Sequence, residues 1–195
     1  MSQPPNSIPS TPLVHRELLI KGAKFDFERL TMRTQDGREL VRQSVRHPGA
    51  VVVLPILETP GHGPSVVLIR NWRISVEQWL YELPAGTLEP GEDPRVCAGR
   101  ELEEETGYAA ATITPLCRFH TSPGLSNELM WAYAATGLRP VAQRLEADEW
   151  VTVHPTPASK ALGMIDSGEL TDGKSILTLL LALQRGILRA GADAV

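Results

Sequence analysis

The chain has 195 residues, 42% of them hydrophobic, and a formal net charge of −4. That length is enough for one domain with a real core, and the lack of a basic block argues against nucleic acid as a tightly held general partner. The longest apolar runs, near Ala50–Leu57 and Ile176–Leu183, are far too short for a bilayer, and the chain does not open on a basic region followed by an apolar core, so neither a membrane span nor a signal peptide is expected.

In chain order, residues 1–12 hold four prolines among Ser, Gln and Asn and are expected to be disordered. Residues 16–46 read as strand-like, with Phe25 and Phe27 alternating with charges and Asp36-Gly37 as a hairpin signal. Val51–Leu57 and Val66–Ile69 read as buried strands, and Trp79–Leu83 as another. Gly86 to Glu92 reads as a loop, punctuated by Gly86, Pro90 and Gly91. A helix follows: Asp93 suits its N-cap, Pro94 its first position and Gly107 the left-handed position after its end. Its predicted core face carries Val96 and Leu102, with Ala98 or Gly99. Ala111–Phe119, Leu129–Ala135 and Trp150–Val153 read as strands, and Pro157–Ser167 and Ser175–Leu188 as helices. Cys97 and Cys117 do not make a disulfide framework; a reduced, buried Cys97 inside the helix fits a cytoplasmic setting.

The helix carries the chemistry. Glu101, Glu103, Glu104 and Glu105 fall within five residues. Like charges at i,i+4 cost roughly 0.2–0.5 kcal/mol each in an isolated helix. At about 100° per residue, Glu101, Glu104 and Glu105 share one face and Glu103 points elsewhere. An acidic run is commonly a solvated face. A divalent cation is the alternative that makes the repulsion useful, and hard carboxylate oxygens suit Mg2+ or Mn2+.

Spacing decides between the two. Gly86, Glu92, Arg100-Glu101-Leu102, Glu104-Glu105 and Gly107-Tyr108, with five, seven, one and one residues between the groups, resemble the Nudix box at every defined position. Flanking runs extend the resemblance over most of the chain. Glu82-Leu83-Pro84-Ala85-Gly86, Arg70-Asn71-Trp72-Arg73, Ser122-Pro123-Gly124-Leu125-Ser126-Asn127-Glu128 and Gly168-Glu169-Leu170-Thr171-Asp172-Gly173-Lys174-Ser175 resemble the ADP-ribose pyrophosphatases and related nucleoside-diphosphate-sugar hydrolases. Pro123 lies 16 residues after Gly107, where that subfamily carries a proline. Turn chemistry alone explains the residue types of the Pro-Gly runs but not their order.

The resemblance implies a mixed α/β fold, an α/β/α sandwich around a mixed sheet. It divides the chain into residues 13–46, an antiparallel N-terminal strand extension, and residues 47–195, the hydrolase domain. It also implies cleavage of the diphosphate bond of a nucleoside diphosphate linked to another moiety, foremost ADP-ribose giving AMP and ribose 5-phosphate. GDP-mannose, a dinucleotide or a capped RNA end are alternative substrates, and a non-catalytic binding module is a third reading. By the same resemblance Glu101 and Glu105 are the principal ligands of Mg2+ or Mn2+, Glu104 shares a metal, and the Ala85 carbonyl adds an oxygen. Gly86, Glu92, Arg100 and Gly107 are structural in the motif, with Arg100 paired to an acid such as Glu92, for which a metal-linked role is the alternative. A phosphate or ribose falls to Arg73 and sugar hydroxyls to Glu82. Base stacking falls to Trp72, or to Phe25 or Phe27 of a second subunit, and a substrate contact to Pro123, with His120 beside it. The general base is Glu146, with Asp148, Glu149 and Glu128 as alternatives. Asp148 stands where the resembled loop carries a glutamate. A homodimer through the N-terminal strands, each reaching toward the partner's site, is expected.

Overall fold

A computed structural model of the chain describes residues 13–34, 36–59, 63–145 and 150–189. Two compact units emerge, Met1–Pro48 with Ser122–Glu128, and Gly49–Thr121 with Leu129–Val195.

The first unit is an antiparallel meander of β1 (Leu13–Ile20), β2 (Asp26–Arg33) and β3 (Glu39–Arg46). The Asp36-Gly37 signal lies in the β2–β3 turn. Gly37 adopts a φ of 85° and donates its amide to the Thr34 carbonyl at 3.0 Å, while Thr34 donates to Arg38 at 2.8 Å. Only glycine takes such a φ without a steric penalty. Residues 122–128 join this unit: Val45 donates to the Leu125 carbonyl at 2.9 Å, and the Asn127 side chain bonds both backbone groups of His47. Glu28 is buried in the sheet and paired with Arg16 and Arg46. Leu18, Ile20, Phe25 and Val41 stay exposed.

The second unit is built on a mixed sheet. The strands β4 (Ala50–Thr59), β5 (Gly63–Arg73), β8 (Tyr108–His120), β9 (Leu129–Pro140) and β10 (Val151–Pro157) run in the order β10-β5-β4-β9-β8. β6 (Gln78–Glu82) pairs with β5, and β7 (Ala85–Thr87) with β4. The β4–β9 pair is parallel and the others antiparallel.

Strand alternation divides the core. Val51 and Val53 face one way and pack with Cys97, Ala98 and Leu102 of α1 (Pro94–Thr106). Val52, Leu54 and Ile56 face the other way, toward α2 (Ala158–Asp166) and α3 (Gly173–Gln184). Successive side chains of a strand point to opposite faces, so one apolar run feeds two cores and the sheet is covered on both sides. This is the expected α/β/α sandwich. Truncating the fully buried Leu102 to Ala costs roughly 2–5 kcal/mol.

Three local expectations need correction. The loop predicted at 86–92 begins as β7, because Gly86 and Thr87 still complete pairs with Val51 and Ala50. Val96, expected on the core face, is exposed, while Cys97 is buried as expected. Val96 lies two residues before the buried Ala98, about 160° from it round the helix, whereas Cys97 is about 100° from it. The last helix stops at Gln184 rather than Leu188. Leu188 is nevertheless buried, held by its amide on the Ala182 carbonyl at 3.1 Å.

Candidate active site

α1 begins and ends where its own residues dictate. The Asp93 carboxylate accepts the Arg95 amide at 2.8 Å and the Val96 amide at 3.4 Å, and Pro94 occupies the first turn. Gly107 closes the helix at φ 70° and donates its amide to the Glu103 carbonyl at 3.0 Å. Residues 141–144 run along this last turn. Arg144 donates its amide to the Glu104 carbonyl at 3.1 Å, and the Gln143 side chain bonds the Glu105 carbonyl at 2.6 Å.

The acidic face meets one cation. Arg100 grips Glu92 with Nε to Oε1 at 3.0 Å and Nη2 to Oε2 at 3.0 Å. Its Nη1 donates to Glu101 Oε1 at 2.7 Å and to Glu104 Oε2 at 3.1 Å. One guanidinium therefore gathers three carboxylates, as its rigid fork of donors allows. The bonds from Arg100 draw the Glu92 carboxyl down to about 2. The repulsion noted in the sequence is thus relieved in part by the helix's own arginine. Burial meanwhile pushes the Cys97 thiol well above its usual range, which keeps it protonated.

Glu105 is turned another way. It is 3% exposed, and its Oε2 accepts the Ala85 amide at 2.8 Å. Gly86 explains why the strand fits so closely over the helix. A Cβ at that position would stand 1.9 Å from the Glu101 Cδ. The missing side chain is the space that the Glu101 carboxylate fills.

The residues present fit a divalent metal. They offer the Glu101, Glu104 and Glu105 carboxylates and the Ala85 carbonyl, all hard oxygen donors, with the Arg100 guanidinium against the first two. Among the described residues, no three His, Cys, Asp or Glu side chains stand converged on one ion position. Glu101 and Glu104 turn toward Arg100 instead, and Glu105 toward Ala85.

The other predicted residues fall into separate places. Arg73 and Glu82 bind each other, Nε to Oε1 at 2.6 Å and Nη2 to Oε2 at 2.5 Å. Glu82 is fully buried and is also held by Lys174. Its carboxylate does not face solvent as an ordinary strand residue but is paired internally with Arg73 and Lys174. Arg73 remains partly exposed, 40% at its side chain, and is held more firmly protonated by Glu82. Trp72 packs edge-on against Trp79 at 5.7 Å. Pro123 and His120 are exposed; Pro123 sits in the turn that Leu125 and Ser126 close onto the Ser122 carbonyl. Glu128 lies 3.7 Å from His47 in the same unit. Glu146, Asp148 and Glu149 lie outside the described residues. Phe25 is exposed and Phe27 half-buried on the N-terminal sheet. Lys174 belongs to a familiar run, but its neighbours in sequence assign it no role. The signal was present in Asp172 as an N-cap followed by Gly-Lys-Ser, but its target lay 92 residues away.

The NUDIX domain matches residues 46–171. The chain is 34% identical over 164 residues to an ADP-ribose pyrophosphatase of Bacillus subtilis (strain 168), covering 83% of this chain and 86% of that one. It is 39% identical over 155 residues to a methanol dehydrogenase activator of Bacillus methanolicus, covering 78% and 82%. A solved ADP compounds hydrolase superposes with a TM-score of 0.79 at 20% identity, covering 97% of this chain and all of that one, a likeness of fold. Nudix hydrolases generally use divalent metal ions. With its box spacing intact, its carboxylates gathered on one helix and the domain matched over more than half its length, the chain belongs to the Nudix hydrolase family.

Proposed function

We propose that the protein hydrolyses the diphosphate bond of a nucleoside diphosphate joined to another moiety, with ADP-ribose as substrate and AMP and ribose 5-phosphate as products. The observation that carries this reading is the gathering of Glu92, Glu101 and Glu104 round Arg100, with Glu105 beside Ala85. Similarity to an ADP-ribose pyrophosphatase supports the choice of substrate.

Glu101 and Glu105 are the principal ligands of Mg2+ or Mn2+ in this reading, with Glu104 and the Ala85 carbonyl completing the donor set. Bound divalent ions polarise phosphoryl oxygens and lower the pKa of water. The chain's own part is orientation. Arg100 holds two ligands at fixed angles, and the Ala85 amide holds the third. Partly exposed Arg73 offers its guanidinium to a phosphate, since its donors match oxyanions. Trp72 and Pro123 contribute to base and sugar contacts. Glu146 acts as general base, taking the proton from the attacking water. The likeness of residues 144–151 to the segment that carries the base in the resembled subfamily supports this choice. A homodimer through the N-terminal strands completes the proposal, supported by the apolar Leu18, Ile20 and Val41 exposed on that sheet. The reduced cysteines fit a cytoplasmic setting.

The test resolves the cleavage products of ADP-ribose, GDP-mannose, dinucleotides and capped RNA by chromatography, with Mg2+ or Mn2+ present. Turnover of ADP-ribose above the others, lost by at least about 100-fold in Glu105→Gln, is expected. Near-normal turnover by a folded Glu105→Gln protein, or none on any substrate by the wild type, refutes the reading.

A further inference from the structure

The turn that opens α3 touches the candidate site through a short, stiff lever. Asp172 caps the helix, accepting the Ser175 amide at 3.1 Å and the Ser175 hydroxyl as well. The same hydroxyl accepts the Leu83 amide at 2.7 Å, and both residues are fully buried. Lys174 reaches Asp172 at 3.0 Å and also bonds Glu82, whose other contacts go to Arg73. The next residues are held in turn. The Pro84 carbonyl accepts the Val53 amide at 2.9 Å, and the Ala85 amide bonds Glu105 at 2.8 Å.

Glu82 is thus held by Arg73 and Lys174, Leu83 by Ser175, Pro84 by Val53 and Ala85 by Glu105, so the two on the N-terminal side depend on α3. Between Leu83 and Ala85 stands a single proline, whose ring locks φ near −65°. The proline removes one of the torsions that could absorb a displacement at Leu83 before it reaches the Ala85 amide. Removal of the Ser175 hydroxyl also leaves the buried Leu83 donor without its acceptor, which favours such a displacement.

We propose that Lys174 and Ser175 are positioning residues for Glu105: the head of α3 sets the Ala85 amide, and through it the orientation of the carboxylate. This rests on the reading of Glu105 as a metal ligand. Partners of ligands contribute in this way elsewhere, and their loss typically weakens metal binding roughly 10–100-fold.

The experiment titrates Mn2+ into substrate-free protein by electron paramagnetic resonance, alongside kcat, KM and thermal melting on the same preparations. Ser175→Ala and Lys174→Gln are expected to bind Mn2+ roughly 10–100-fold more weakly, with kcat reduced in parallel and KM within about twofold. Lys174→Arg, which keeps the charge on Glu82, should recover most of the affinity. A purely structural role would lower melting temperature but leave Mn2+ affinity of the folded protein unchanged. Lys174→Gln leaves the Ser175–Leu83 bond in place and carries the test if Ser175→Ala does not fold. Mn2+ binding that is lost in Glu105→Gln but unchanged in both other variants overturns the positioning role alone. A wild type that binds no Mn2+ overturns the metal reading, and this proposal with it.

Discussion

Gly86→Ala isolates the fit between strand and carboxylate helix. The backbone at Gly86 lies outside the left-handed region, so alanine meets no conformational barrier there. Glycine in a strand is about 0.5–1 kcal/mol less favourable than alanine, so the backbone term stabilises the variant. The steric term opposes it. The new methyl would stand 1.9 Å from the Glu101 Cδ and 2.0 Å from its Oε1, so the carboxylate must leave its place. That breaks the 2.7 Å bond from Arg100. A hydrogen bond to a charged group contributes about 1.5–3 kcal/mol, here near the lower end because Arg100 keeps Glu92 and Glu104. The two terms leave a net loss of about 1 kcal/mol, which lowers the melting temperature by roughly 2–4 °C in a chain of this size. Function suffers far more, since a displacement of about 1 Å in a positioned group can cost about 100-fold. Differential scanning calorimetry and ADP-ribose turnover with Mg2+ measure the two effects. Turnover within a few-fold of wild type would refute the argument, and so would a collapse of the melting temperature by about 15 °C, which would mean that the change is not local.

Acid should unfold the protein partly through Glu92. Its carboxyl is depressed from 4.5 to about 2, first by the bonds from Arg100, so the stability it contributes is present above pH 4.5 and lost as pH falls toward 2. Glu92→Gln should therefore flatten the stability curve in that window by circular dichroism; parallel curves for variant and wild type would exclude the effect. Single substitution of Glu146, Asp148 and Glu149 to Gln or Asn should depress turnover strongly at Glu146, with Mn2+ affinity little changed; three wild-type rates would move the base elsewhere. Light scattering at micromolar concentration should give a dimer, and a fully active monomer would end that proposal.

The sequence by itself determined what depends on near neighbours along the chain. Asp93, Pro94 and Gly107 mark the limits of α1 because capping is settled within a turn. The box spacing put Glu101, Glu104 and Glu105 on one face because helical periodicity requires no partner. The alternating valines of β4 likewise announced a buried strand. Tertiary structure decided the rest. Leu102 and Cys97 were legible as core, but whether Val96 joined them depended on how α1 packs against β4. Arg100 was expected to find an acid, yet its simultaneous hold on Glu92, Glu101 and Glu104 required the β7 loop to fold back over the helix. Glu82 shows the limit most plainly. It read as a residue open to substrate, and became a buried pair because Arg73 comes from the neighbouring strand and Lys174 from a helix 92 residues on. Strand register and helix docking bring such charges together, and neither leaves a periodic trace in the local sequence.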